Sequence, residues 1–152
     1  MQRFVLFLFL SPFLWSCDNG CNSIECENAV TCHEGECVCA KWYTGDRCQL
    51  QYNRNYEGEY VGTFSSAERS QVENLIIEAD EEIPNRMILP MGVFFDFIDE
   101  ESLVIPRQQL VDQADTFVIE GEGTYSTDAL DFSYSNSANA KEMVSFSGKR
   151  VD

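Results

Sequence analysis

Ala129-Leu130-Asp131-Phe132-Ser133-Tyr134-Ser135 alternates without a break. Leu130, Phe132 and Tyr134 fall on one face, and Asp131, Ser133 and Ser135 on the other. A period of two marks a strand with one buried and one solvated face. Working outward, residues 142–149 alternate through Val144, Phe146 and Gly148, and residues 59–64 through Tyr60, Gly62 and Phe64. Residues 116–120 read as a further strand, which the Gly121-Glu122-Gly123 step can bend into Thr124-Tyr125-Ser126. Residues 72–78 carry Leu75-Ile76-Ile77 and read as a strand buried on both sides. Residues 86–89 and 91–98 are separated by Pro90; Pro106 interrupts after 103–105, and 108–111 can resume the pairing. Turn signals stand at Asp80-Glu81-Glu82, Asp99-Glu100-Glu101 and 136–140. The count is about eight short strands at turn-bounded spacing, which predicts an antiparallel β-barrel or sandwich over residues 56–152. Tyr60, Phe64, Phe94, Phe97, Phe117, Phe132 and Phe146 are the expected interior.

Charge narrows the class of partner. The 152 residues carry 10 Lys+Arg against 26 Asp+Glu, a formal charge of −16. Phosphate binding needs clustered Lys and Arg, so nucleic acid is excluded as a partner. Electrostatic docking on anionic lipid is disfavoured for the same reason. Hydrophobic residues at 44% suffice for a packed core and argue against disorder.

The first sixteen residues carry an address. Arg3 precedes an apolar run from Phe4 to Trp15, long enough for a signal-peptide core and too short to span a bilayer. The run ends Leu14-Trp15-Ser16-Cys17. Leu at −3, a small residue at −1 and Cys at +1 resemble the bacterial lipobox, with Trp15 at −2 as its departure. The resemblance implies cleavage after residue 16, lipidation of Cys17 and a lipidated N-terminus over 17–20. Cysteine parity agrees. The chain has 7 cysteines, and removing Cys17 leaves an even number for disulfides. Loss of residues 1–16 removes Arg3, so the mature chain is one unit more negative. The expected location is the cell envelope, with the chain exported and held at a membrane, outer membrane or cell surface, by its lipid.

Cys21, Cys26, Cys32, Cys37, Cys39 and Cys48 crowd into residues 21–48, among too few apolar side chains to form a core. Cross-links must substitute for one. Six cysteines admit many pairings, and spacing alone does not choose among them. Cys37-Val38-Cys39, five residues, Gly45, two residues and Cys48 resemble the C-terminal signature of an EGF-like module. That resemblance implies the disulfides Cys21–Cys32, Cys26–Cys37 and Cys39–Cys48, with Gly45 in a tight turn. Trp42 stands where the family usually has glycine. Residues 49–55 are polar and patternless and read as a linker. With no cysteine beyond Cys48, the second unit is expected to be stable independently of the disulfides.

No catalytic constellation assembles. His33 is the only histidine and lies in the cysteine-rich segment, so no nucleophilic triad forms. The Cys37-x-Cys39 spacing lacks the two-residue gap of a zinc knuckle, and the approach to Cys21 lacks the acidic pattern of calcium-binding EGF modules. No metal or cofactor is expected, and no enzyme activity. The two Asp-Glu-Glu runs read as solvated turns; general acid–base pairs or calcium ligands are the alternatives.

Tyr60-x-Gly62-Thr63, Gly121-x-Gly123-x-Tyr125 and Phe146-x-Gly148-Lys149-Arg150 are similar to the small lipocalin-like β-domains of bacterial lipoproteins, especially those of Bacteroidota. The expected function is a non-enzymatic binding or adhesion lipoprotein displayed on an EGF-like spacer. Its ligand is a protein, a glycan or a small apolar molecule. The competing expectation is a carrier that holds a small apolar ligand inside the barrel.

Overall fold

The computed structural model describes residues 20–112, 115–137 and 142–151. Cys17 and segment 1–16 lie outside them, as do residues 138–140 of the turn expected at 136–140. The chain is mainly β, without an α-helix among the described residues.

The cysteine-rich unit is a hairpin of β1 (Ala29–His33) and β2 (Glu36–Cys39), followed by a small ladder of β3 (Tyr43–Thr44) and β4 (Leu50–Gln51). Disulfides join Cys21 to Cys32, Cys26 to Cys37 and Cys39 to Cys48. Each closes a short loop, and a bridge of that kind stabilises by about 2–3 kcal/mol through the unfolded chain. Gly45 takes φ +91°, and the Cys48 N–H donates to its carbonyl across the turn.

Eight strands then close an antiparallel barrel. They are β5 (Gly58–Ser65), β6 (Ser70–Ala79), β7 (Arg86–Ile88), β8 (Phe94–Phe97), β9 (Ser102–Asp112), β10 (Asp115–Tyr125), β11 (Ala129–Asn136) and β12 (Glu142–Val151). Neighbours in sequence are neighbours in space, and β12 pairs with β5 to close the ring. This architecture is compatible with a lipocalin-like fold. The middle of the barrel is filled by its own side chains. Met87, Phe95, Leu103, Ile105, Ile119 and Phe146 are each at most 1% exposed. Burying one such side chain contributes about 2 kcal/mol.

Four sequence expectations change or gain detail. First, β6 is buried on one face only: Leu75, Ile77 and Ala79 face inward, while Ile76 is 60% exposed. A single-layered barrel puts water on the outside of every strand. Second, Phe95 and Phe97 face the interior, and Phe94 lies on the outer face beneath the Arg86 guanidinium, 4.0 Å from its ring. Residues three apart on a strand cannot share a face, so Phe94 and Phe97 could not both point inward. Third, the interruption at Pro106 is a bulge inside one strand, and the pairing resumes at Gln108 as expected. Ile105 pairs with Gly121 and Gln108 with Ile119, so Pro106 and Arg107 oppose Glu120 alone in a bulge. Proline has no N–H to lose there. The extra residue shifts the inward positions from Leu103 and Ile105 to Gln108 and Leu110. Fourth, residues 49–55, read as a patternless linker, connect the two units through β4 and most of a 3₁₀ turn, Tyr52–Tyr56, that packs on the barrel.

The barrel is uneven. β7 meets β6 at two residue pairs, Glu78↔Ile88 and Ala79↔Met87, and β8 meets β9 only at Asp96↔Val104 and Phe97↔Leu103. Gln108 bridges the shortfall. Its side-chain amide accepts from Phe94 N–H at 3.1 Å and donates to Phe94 C=O at 2.8 Å, replacing a missing rung of the ladder. On the opposite wall Gly62 and Gly148 stand side by side beneath the Phe146 ring. A Cβ at Gly62 would come within 2.5 Å of Phe146 Cζ and of the Ser147 carbonyl oxygen, which is backbone. Gly62→Ala is therefore expected to destabilise the barrel by about 2–3 kcal/mol through overpacking. A thermal melt unchanged by the substitution would refute this close approach.

Candidate functional site

The barrel end that opens toward the cysteine-rich unit exposes Phe97 and Tyr125 from strand ends β8 and β10. The Tyr52–Tyr56 turn closes it. The Tyr56 ring lies 5.0 Å from Phe97 and 4.9 Å from Tyr125, and the Tyr52 ring 5.7 Å from Phe97. The hydroxyls converge as well. Tyr52 Oη is 2.9 Å from Tyr56 Oη and 3.2 Å from Tyr125 Oη. The Tyr125 hydroxyl donates to the Asp99 carbonyl, and the Tyr60 hydroxyl to the Tyr56 carbonyl at 3.1 Å. Burial, followed by the hydrogen bonds to Tyr52, pushes the Tyr56 and Tyr125 hydroxyls far above their ordinary pKa of 10.0. Burial also raises Tyr60.

Asn53 fastens the same turn. It is fully buried, and its Nδ2 group lies within 2.9–3.1 Å of the carbonyl oxygens of Asp80, Ile83 and Arg86. Its backbone N–H donates to Pro84. One side chain thus gathers the whole loop between β6 and β7.

Trp42 makes the junction between the two units. Its ring packs 5.3 Å from Tyr52 and 6.5 Å from Phe97. Its backbone sits at φ +73°, a region that favours glycine. The backbone here is one that glycine adopts without strain, while the side chain is an indole. Holding a non-glycine residue there costs about 1–2 kcal/mol. The indole's contacts across the junction offset that. Tyr52 N–H donates to Trp42 C=O at 2.8 Å, and Gln51 Nε2 to Glu81 C=O at 2.9 Å.

Beside the indole lies an open groove of about 800 Å³, lined by residues 40–44, Tyr52 and residues 99–102. Trp42, Tyr43 and Tyr52 give the lining an aromatic part, and the Asp99-Glu100-Glu101 turn gives it an acidic part. Lys41 lies between them, its ammonium 4.5 Å from the Trp42 ring and donating to Ile98 C=O at 3.1 Å.

The two Asp-Glu-Glu runs adopt the same turn. Asp80 Oδ1 accepts from the N–H groups of Glu82 and Ile83, and Asp99 Oδ1 from those of Glu101 and Ser102. These backbone bonds hold the Asp99 carboxyl below its ordinary pKa. The aspartates are occupied by their own backbone. The following glutamates face water. No group of three His, Cys, Asp or Glu side chains suited to a metal converges among the described residues.

Of the residues singled out in the sequence, the six cysteines and Gly45 are brought together in the first unit, while Cys17 lies outside the described residues. The Asp99 run meets the aromatic wall; the Asp80 run does not. Sequence reasoning passed over Tyr52, Asn53 and Tyr56. The available signal was two tyrosines four apart in an otherwise polar segment.

Searches of family models, of curated proteins and of solved structures each returned no match to the chain.

Two predictions follow from the closed end. Asn53→Ala removes the buried side chain whose Nδ2 reaches the Asp80, Ile83 and Arg86 carbonyls and is expected to destabilise the barrel by about 2 kcal/mol, read as a shifted urea midpoint. An unshifted midpoint would show that the loop holds without it. The second concerns pH. The unfolded tyrosines ionise near the ordinary value of 10.0, and the folded Tyr56 and Tyr125 ionise well above it. Their contribution is therefore complete below pH 10 and is lost as pH rises beyond it. Stability should fall above pH 10, less steeply in Tyr125→Phe. Parallel pH profiles for the two proteins would contradict this.

Proposed function

We propose that this chain is an exported, membrane-anchored lipoprotein without enzymatic activity, which displays its β-barrel on an EGF-like, disulfide-stapled spacer and binds its ligand on the outer surface. The observation that supports this reading is the junction groove, an open and chemically distinct recess outside a barrel whose interior is already occupied. Filling by Phe95, Phe97, Phe132 and Phe146 weighs against the carrier alternative. An interior ligand would have to displace side chains that contribute about 2 kcal/mol each.

The lipobox resemblance at Leu14–Cys17 and the even number of remaining cysteines support the anchor. Acyl chains on Cys17 would hold the acidic body by burying CH₂ groups, at about 0.8 kcal/mol each, without any basic patch on the protein. The lipid supplies attachment, and the disulfide unit supplies standoff and one wall of the groove.

The test is detergent-phase partitioning of the chain expressed in a bacterial host with its own leader. The wild type should enter the detergent phase with a mass that shows acylation at residue 17. Cys17→Ser should remain in the aqueous phase. Denaturation should release no small molecule from either. Aqueous partitioning of the wild type would refute the anchor, and a released apolar molecule would establish the carrier instead.

A further inference from the structure

We propose that the junction groove is a site for a positively charged peptide segment, with a lysine or arginine side chain entering between the Trp42 indole and the Asp99-Glu100-Glu101 turn. The inference rests on the binding function proposed above and names its site and ligand class.

Three observations carry it. The first is the pairing of walls. An aromatic face attracts a cation through its quadrupole, and carboxylates attract it through charge. Here Trp42, Tyr43 and Tyr52 line the same groove as Glu100 and Glu101.

The second is that the chain already places a cation there. The Lys41 ammonium sits over the Trp42 ring and bonds to the Ile98 carbonyl, and its charge helps lower the Asp99 pKa. Lys41 is exposed and reaches across the junction from one unit to the other. It occupies the place that an incoming ammonium or guanidinium would take, and so acts as an internal competitor.

The third is the contrast with the other acidic run. Asp80-Glu81-Glu82 has the same composition and the same capped turn. It faces Gln51, whose amide bonds to the Glu81 carbonyl, rather than an indole. Charge alone would make the two turns equivalent, and the aromatic wall separates them. The net charge of −16 draws a basic segment to the protein as a whole; the groove gives it a place to stop.

Trp42 itself reports on the site. The chain has 2 tryptophans, so in the full chain carrying Trp15→Phe the emission comes from Trp42 alone. The probe is a capped trilysine peptide, titrated at physiological ionic strength to screen weak surface attraction. A saturable change in Trp42 emission is expected. Glu100→Gln with Glu101→Gln should weaken binding about tenfold, whereas Glu81→Gln with Glu82→Gln should change it by less than about twofold. The turns are held through the backbone N–H and C=O groups of these glutamates, which Glu→Gln leaves in place, so both variants should keep the wild-type melt. Lys41→Met should tighten binding several-fold by vacating the indole face.

The proposal is overturned if no saturation is reached. It is equally overturned if the two glutamate pairs weaken binding alike, or if Lys41→Met leaves affinity unchanged or lower. A silent titration beside a Cys17-dependent detergent partition would sink this inference alone. Saturation with an unacylated residue 17 would sink the anchor and leave the groove standing.

Discussion

The closing of one barrel end by the Tyr52–Tyr56 turn is the constraint on which the rest depends. An eight-stranded barrel removes its sheet edges, but its ends still expose core. Here the exposed core is aromatic. Phe97 and Tyr125, with ring centroids 4.2 Å apart, would meet water without the turn above them. Aromatic rings provide the area, and the tyrosine hydroxyls complete one another's hydrogen bonds, so little polar surface is stranded. The buried Asn53 extends the same closure to the loop at 80–85. What begins as the connection between two units becomes part of the core of the second.

The site follows from that closure. The turn is continuous with β4, and β4 pairs with β3, so the cysteine-rich unit is drawn against the barrel end and Trp42 lands beside Phe97. The groove lies where the two units meet, and its chemistry is inherited from each. The first unit contributes the indole and Lys41; the barrel contributes an acidic turn whose aspartate is spent on its own backbone. The disulfides matter at a distance. Cys39–Cys48 closes the loop that carries Trp42 and holds a residue at positive φ in a segment with almost no core of its own.

Much of the barrel was legible because its strands announce themselves locally. The alternation at 129–135 and 142–149 survives as β11 and β12, with Phe132 and Phe146 buried. The misreadings share one cause. Apolarity at 75–77 and 94–97 was visible, but the facing of each residue depends on register. Ile76 and Phe94 are as hydrophobic as their neighbours and still point outward. At Pro106 the sequence signalled an interruption with pairing able to resume at 108; it did not show that the interruption is a bulge, in which β10 passes one residue against two. The packing of residues 49–55 was illegible for the opposite reason. Their two tyrosines and one asparagine have no periodicity, and their value comes from partners 27 to 73 positions away.

By itself the sequence determined the class of structure: strands from a period of two, a cross-linked unit from six cysteines with no core around them, and a strongly acidic balance of charge. These are properties of short windows and of composition, which need no knowledge of what lies next to what. The tertiary structure alone decided that the barrel fills its own interior, that the polar connection is its lid, and that one of two identical acidic turns faces an indole. Those outcomes depend on strand register and on one bulge, which bring together residues far apart in the chain. A contact between distant residues leaves no local pattern, because its free energy arises only once the chain between them has been placed.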